Sequence, residues 1–229
     1  MREGSSRPVR PSDVFPLHMA DVTYPEGHPL EGTTGPVNAF AIRLHDGVVL
    51  VDTGIGSGND WIDLHYQPRG RTIGDALRSA HLDPEAVRMV INTHLHFDHS
   101  GQNSSFPGVP IIVQQAEWDI AWDDGHTVTE WLDFDGARYE RVSGDVEVAP
   151  GVRVLATPGH TPGHQSVTVE TDDGLVLIVG QAAHDARAFA VGEADASIQR
   201  LRELNAERIH FSHERGTMKR MVQAAKPAN

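Results

Sequence analysis

Within the stretch "NTHLHFDHSG" (92–101), His94, His96, Asp98 and His99 bring three imidazoles and a carboxylate together. Imidazole nitrogen and carboxylate oxygen are good ligands for zinc, and a catalytic zinc keeps a position open beside about three protein ligands. In an extended segment residues i and i+2 point the same way, so His94 and His96 can hold one ion together. Asp98 and His99 fall on the turn that follows and can face a neighbouring position. Four ligands this close strain to serve one tetrahedral ion, which leaves two adjacent ions, or one ion beside a catalytic carboxylate. The chain has no cysteine, so disulfides are excluded and nitrogen and oxygen must supply every ligand. The chain's 14 histidines include two more that follow strand-like runs. They are His160 in "TPGHTPGH" (157–164), where Pro-Gly steps force turns, and His213 in "IHFSHE".

The elements that must position these groups are short. "VRMVIN" is an apolar run ending where the histidines begin, which puts the motif on a loop at a strand's C-terminal end. "VNAFAIRLHDGVVLVDTG" reads as a hairpin turned by Asp46-Gly47. "TIGDALRSAHL" reads as a helix capped by Thr72, with Asp75 three residues on and Ile73, Leu77 and Ala80 on one face. "VPIIVQQ", "DVEVA", "VRVLAT", "SVTVET", "LVLIVG" and "RIHFS" read as strands. "QAEWDIAW" and "DASIQRLREL" read as helices, and "TMKRMVQAA" as a closing helix. Residues 1 to about 35 are rich in Pro and Gly and read as an irregular lead-in. Strands in runs with helices inserted suggest two sheets packed face to face with helices outside.

Net charge is −13 with histidine neutral. An acidic surface repels phosphate backbones and anionic lipid, so neither nucleic acid nor membrane is an expected partner. The opening "MREGSSRPVRPSDVF" lacks the apolar core of a signal peptide, and no apolar run approaches the roughly 18 residues of a membrane span. A cytoplasmic protein is expected.

His94, His96, Asp98 and His99 meet the signature His-x-His-x-Asp-His in full. With the PGH turn and a late histidine following in order, the chain resembles the metallo-β-lactamase superfamily from Pro36 to His213. The resemblance implies an α/β protein, an αββα four-layer sandwich formed by residues 36–229 as one domain, with the metals at one edge. It assigns His94, His96 and His160 to a first metal, and Asp98, His99 and His213 to a second. Asp52 of "VDTG" (51–54) would lie beneath the site without being a ligand. His164 would support the ligands or pack rather than coordinate.

The pattern breaks at Gln181. Dinuclear relatives carry there an aspartate that bridges both metals. A carboxylate can span two cations about 3.5–4 Å apart, whereas a carboxamide offers one neutral oxygen and an NH2 that cannot coordinate. Three arrangements stay open: Gln181 ligates one ion weakly through its oxygen; one metal is weak or absent; or Asp185 or His184 reaches into the site.

The resemblance further implies two Zn2+ ions, with Fe, Co or Mn also compatible with such ligands. It implies zinc-activated hydroxide attacking an ester, lactone or thioester carbonyl, with Asp98 orienting water and moving its proton. The segments "NTHLHFDHSGQN", "VPIIVQQAEW", "GDVEVAPGV" and "TPGHTPGHQSV" are most similar to the N-acyl-homoserine lactone lactonase branch. There the residue three positions after Gln181, here His184, is often a Tyr that polarises the lactone carbonyl. Imidazole can donate the same hydrogen bond, so His184 joins Asp98 as a catalytic candidate. The alternatives are a glyoxalase-II-like thioesterase and a non-catalytic member that binds a metal or metabolite. A small acyl substrate is the expected partner, and a homodimer is compatible. Trp118, Trp122, Trp131 and Phe134 either line an acyl pocket or pack helices onto the sheet, and His126 sits in a loop with no role beyond its position.

Overall fold

Two strands rich in apolar and β-branched residues, β1 (Val14–Thr23) and β2 (Thr34–Leu44), pair antiparallel, and Asp46-Gly47 turns β2 into β3 (Gly47–Val51). Gly47 has a φ of +148°, and a side chain there would strike the Ala86 carbonyl, so the turn needs glycine. These coordinates are a computed structural model describing residues 8–219 except 124, 193 and 194. Strands β4 (Arg69–Gly70), β5 (Val87–Ile91), β6 (Ile111–Gln114) and β7 (Tyr139–Val142) complete a sheet of order β4-β1-β2-β3-β5-β6-β7. The second sheet contains β8 (Val146–Ala149), β9 (Val152–Ala156), β10 (Gln165–Thr171), β11 (Gly174–Ile178), β12 (Arg208–His210) and β13 (Met218–Lys219). Its order is β13-β12-β11-β10-β9-β8.

Alternation along the strands sorts the core into layers, because neighbouring strand residues face opposite sides of a sheet. Val49 and Val51 of β3 meet Val167, Val169, Val176 and Ile178 of the second sheet. Their neighbours Val48 and Leu50 pack outward with Ile62 of α1 (Asp60–Tyr66) and with Ile73 and Leu77 of α2 (Ile73–Ser79). On the far side, Leu177 and Ile209 pack with Phe189 and Leu201. Those helices are α6 (Ala186–Val191) and α7 (Ala196–Glu203); between lie α3 (Phe97–Ser100), α4 (Gln115–Ile120) and α5 (Thr129–Leu132). The result is the expected αββα order of layers. A one-residue slip in any central strand would exchange its two faces, so register and layering are fixed together. The expected cap of α2 forms, Thr72 Oγ1 accepting from Asp75 N at 3.1 Å.

Two expectations are corrected. The lead-in is not irregular throughout: β1 pairs with β2 from Val14↔Ile42 to Thr23↔Thr34 and belongs to the same sheet. Pro16 and a register shift between His18 and Ala20 break the alternation that would have marked it. The proline is tolerated because β4 covers β1 only at Ala20 and Asp21, leaving Pro16 on an edge. At the other end, Met218 and Lys219 pair with Ile209 and Arg208 as a strand rather than opening a helix, and the rest of "TMKRMVQAA" lies outside the described residues. Among the described residues no helix is long and apolar enough to cross a membrane.

Candidate metal centre

Strands β3 and β5 run parallel, as do β11 and β12, and β9 shares the direction of β11. The loops after their C-terminal ends therefore gather at one edge, where open α/β sheets commonly bind ligands. Asp52 follows β3, the histidine motif follows β5, and His160, Gln181 and His213 follow β9, β11 and β12.

Asp52 organises the first of these loops from beneath. Its backbone takes a left-handed φ of +60°, a conformation Asp tolerates better than most residues. Its buried carboxylate accepts from Thr93 N at 2.7 Å, Thr93 Oγ1 at 2.9 Å and His99 Nδ1 at 2.8 Å. A His99 that donates from Nδ1 presents Nε2 to the site. Thr93 Oγ1, its own proton given to Asp52, accepts from His94 Nδ1 at 3.1 Å and so turns His94 Nε2 the same way. On the opposite sheet His213 Nδ1 donates to the Pro36 carbonyl at 3.1 Å. For His94, His99 and His213 the outward nitrogen is thus assigned by a partner on the inner one.

The outward atoms form two groups. In the first, His96 Nδ1 lies 3.1 Å from His94 Nε2 and 3.0 Å from His160 Nε2. In the second, Asp98 Oδ2 lies 3.5 Å from both His99 Nε2 and His213 Nε2. Ligand atoms about 2.0–2.1 Å from a tetrahedral ion stand roughly 3.3 Å apart, so both groups have the spacing of a coordination polyhedron. His213 Nε2 is buried and has no hydrogen-bond partner, which fits a nitrogen held for a metal and is costly otherwise. The groups adjoin, since the rings of His94 and His99 are 4.0 Å apart. The donor set fits a pair of zinc-like ions.

Electrostatics agree. Burial pushes His94 well below the usual imidazole range, His96 and His213 down to about 4, and His160 down to about 3. These rings are neutral at pH 7 and offer lone pairs. Burial would also raise Asp98, but the imidazoles of His99, His213 and His96 outweigh it and hold the carboxylate ionised. His99 departs from the others: against burial, the Asp98 and Asp52 carboxylates raise it to about 10. A cation is favoured at its position, either a proton or a metal.

Gln181 does face this edge, its Oε1 lying 3.2 Å from His99 Nε2. It is aimed by His164, whose Nε2 accepts from Gln181 N at 2.9 Å while Nδ1 bonds Thr157 Oγ1 at 2.9 Å. His164 therefore supports the loop and has no nitrogen left for coordination. Asp185 is occupied elsewhere, its Oδ1 capping α6 by accepting from Ala188 N at 2.7 Å. His184 does not join either group: its ring stacks on His213 at 5.0 Å, and Nε2 lies 3.4 Å from the Tyr24 hydroxyl. It lies beside the second group without belonging to it. The tryptophans pack: Trp118 joins Leu95, Val113, Ala121 and Leu132, and Trp131 and Phe134 join the core under α1 and α2. Trp122 is partly exposed beside Trp118.

Three groups were not foreseen. Tyr24, in the stretch read as lead-in, places its hydroxyl by His184, and burial together with the Asp98 charge pushes its pKa to about 12. Glu117 and Thr161 meet behind the first group at 2.6 Å. Position in "VTYPEG" or "QAEW" carries no chemical signal by itself; only the fold brings these residues to the edge. His126 is drawn in as well, bonding Glu117 at 2.8 Å with its ring 4.8 Å from that of His96.

Residues 32–213 match the Metallo-beta-lactamase superfamily profile. The N-acyl homoserine lactonase of Bacillus cereus is 33% identical over 204 residues, covering 78% of this chain and 81% of that protein. The N-acyl homoserine lactonase AttM of Rhizobium radiobacter is 28% identical over 171 residues, 63% of each. A solved N-acyl homoserine lactone hydrolase, with the product N-hexanoyl-L-homoserine bound at its catalytic metal centre, superposes with a TM-score of 0.76 at 27% identity. The match covers 90% of this chain and 94% of that one. Two sheets with outer helices, ligand groups at one edge and these likenesses agree: the chain belongs to the metallo-β-lactamase superfamily.

Proposed function

We propose that the chain is a dizinc hydrolase that opens the lactone ring of N-acyl homoserine lactones. The observation that carries this reading is the pair of adjoining three-ligand groups, one of three imidazoles and one with a carboxylate, in a chain whose relatives are lactonases. Bound divalent metal supplies Lewis acidity and lowers the pKa of water towards neutrality.

The residues of the chain supply the rest. Water adds to the lactone carbonyl carbon, the ring C–O bond breaks, and the proton lost by water finishes on the ring oxygen. Asp98 is the group placed to carry it, being ionised, 15% exposed at its side chain and adjacent to both metal-facing nitrogens of the second group. Beside His213 stand Tyr24, which stays protonated, and His184, which is neutral at pH 7, burial lowering its pKa. Both can donate to an oxygen that gains charge as the ring opens. Apolar surface for an acyl tail starts at Phe97, between His96 and Asp98. It continues through Tyr66, 4.8 Å away ring to ring, to the exposed Trp61 and Leu64 of α1.

The test is a panel of N-hexanoyl and N-decanoyl homoserine lactones, a simple aryl ester and an acyl thioester, presented to the zinc-loaded protein. The expected product is the N-acyl homoserine, heavier than the lactone by one water in mass spectrometry. Turnover of the thioester with the lactones untouched would overturn the reading.

A further inference from the structure

Glu117 takes no part in the chemistry set out above, yet its carboxylate is fully buried. An anion is held in such a place only when its oxygens are well partnered. Oε1 accepts from Leu95 N at 2.8 Å and from His126 Nε2 at 2.8 Å, and Oε2 accepts from Thr161 Oγ1 at 2.6 Å. Leu95 lies between His94 and His96, and Thr161 follows His160. One carboxylate therefore grips both loops whose imidazoles make up the first group. The backbone adds a second, independent contact, for a Cβ on Gly163 would lie 2.0 Å from Glu117 N. The start of α4 is wedged into the PGH turn, with no room for any side chain between.

We propose that Glu117 is a positioning residue for the first metal site, holding the His94–His96 loop and the His160 turn at the separation where their nitrogens share one ion. The second group is set differently. His99 is oriented by Asp52, and His213 by the Pro36 carbonyl. Loss of Glu117 is therefore selective, weakening one ion and sparing the other. His126 completes the clamp: it brings a third donor to the carboxylate, and its ring lies 4.8 Å from that of His96. The inference rests on the metal-centre reading and is independent of which acyl substrate is used.

Zinc stoichiometry and affinity test it, measured by competition with a chromophoric chelator on wild type, Glu117→Ala, Glu117→Gln and Thr161→Val. Thermal unfolding of the metal-free proteins is read in parallel. Groups that orient ligands are worth roughly tenfold to a hundredfold in metal affinity. Glu117→Ala is expected to weaken one equivalent by that factor and leave the other unchanged. Glu117→Gln is expected to restore most of the loss, since its oxygen still accepts from Leu95 and its amide can donate to Thr161. Wild-type affinity for both ions in Glu117→Ala would overturn the proposal. So would equal weakening of both ions together with a lowered metal-free melting temperature, which marks general destabilisation. If Glu117→Ala does not fold, Thr161→Val decides: a severalfold weakening of one ion supports the clamp and unchanged affinity overturns it. A wild type that binds no zinc would overturn the metal-centre reading itself.

Discussion

A carboxamide at position 181 removes one negative charge from the space shared by the two ligand groups. Gln181 Oε1 reaches His99 Nε2 at 3.2 Å, so a neutral oxygen is available where an anionic pair would otherwise balance two dications. Gln181→Asp is expected to tighten the weaker zinc equivalent by at least about tenfold, no less than a group that only orients a metal ligand is worth. Chelator competition measures it, and unchanged affinity would show that the neutral oxygen suffices. At this scale the ligands themselves were legible, because His94, His96, Asp98 and His99 are contiguous and their chemistry is carried by residue type. Of what aims them, Asp52 and His164 were expected through the resemblance, and the rest was not. Thr93 acts through hydrogen bonds, Pro36 acts through a backbone carbonyl that any residue possesses, and Glu117 and Tyr24 arrive from distant segments.

At the scale of elements, close backbone approach does much of the positioning. Gly101, which ends α3, donates to the Gly54 carbonyl at 2.9 Å, and a Cβ there would lie 2.1 Å from Gly56 N. The motif loop is thereby pressed onto the turn that carries Asp52. Gly101→Ala is expected to cost about 1–3 kcal/mol through overpacking, measured by urea denaturation, and to lower zinc content because the loop must lift. Full stability with full zinc content would show that the turn yields freely. The strands β2, β3, β5, β6 and β8 to β12 were legible from runs of β-branched residues ending in turn residues. Strand β1 was hidden by Pro16 and its register shift, and β13 by two residues that pair only because β12 lies beside them.

Across the whole molecule, the buried imidazoles make stability depend on pH. His96 and His213 lie near 4 and His160 near 3 in the folded chain, against about 6.5 when unfolded. Below pH 6.5 the unfolded chain takes up protons that these folded rings refuse, so stability falls as pH drops towards 4. His99 acts in the opposite sense: its folded pKa near 10 contributes stability that is complete below 6.5 and is lost as pH rises through 10. Several groups oppose one, so the metal-free protein is expected to melt highest near neutrality and at least about 5 °C lower at pH 5 than at pH 7. Thermal scans after chelation measure this. A flat profile would mean that the empty clusters open to solvent.

The two sheets use successive stretches of chain, β1 to β7 ending at Val142 and β8 to β13 beginning at Val146. The ligand groups ignore that division: each takes residues from before the junction and a histidine from after it. During synthesis the first half leaves the ribosome with His94, His96, Asp98 and His99 but with neither set complete. Each group would be complete only when His160 or His213 of the later half joins it. An ion bound in either group would therefore tie the second sheet to the first as well as serve the site.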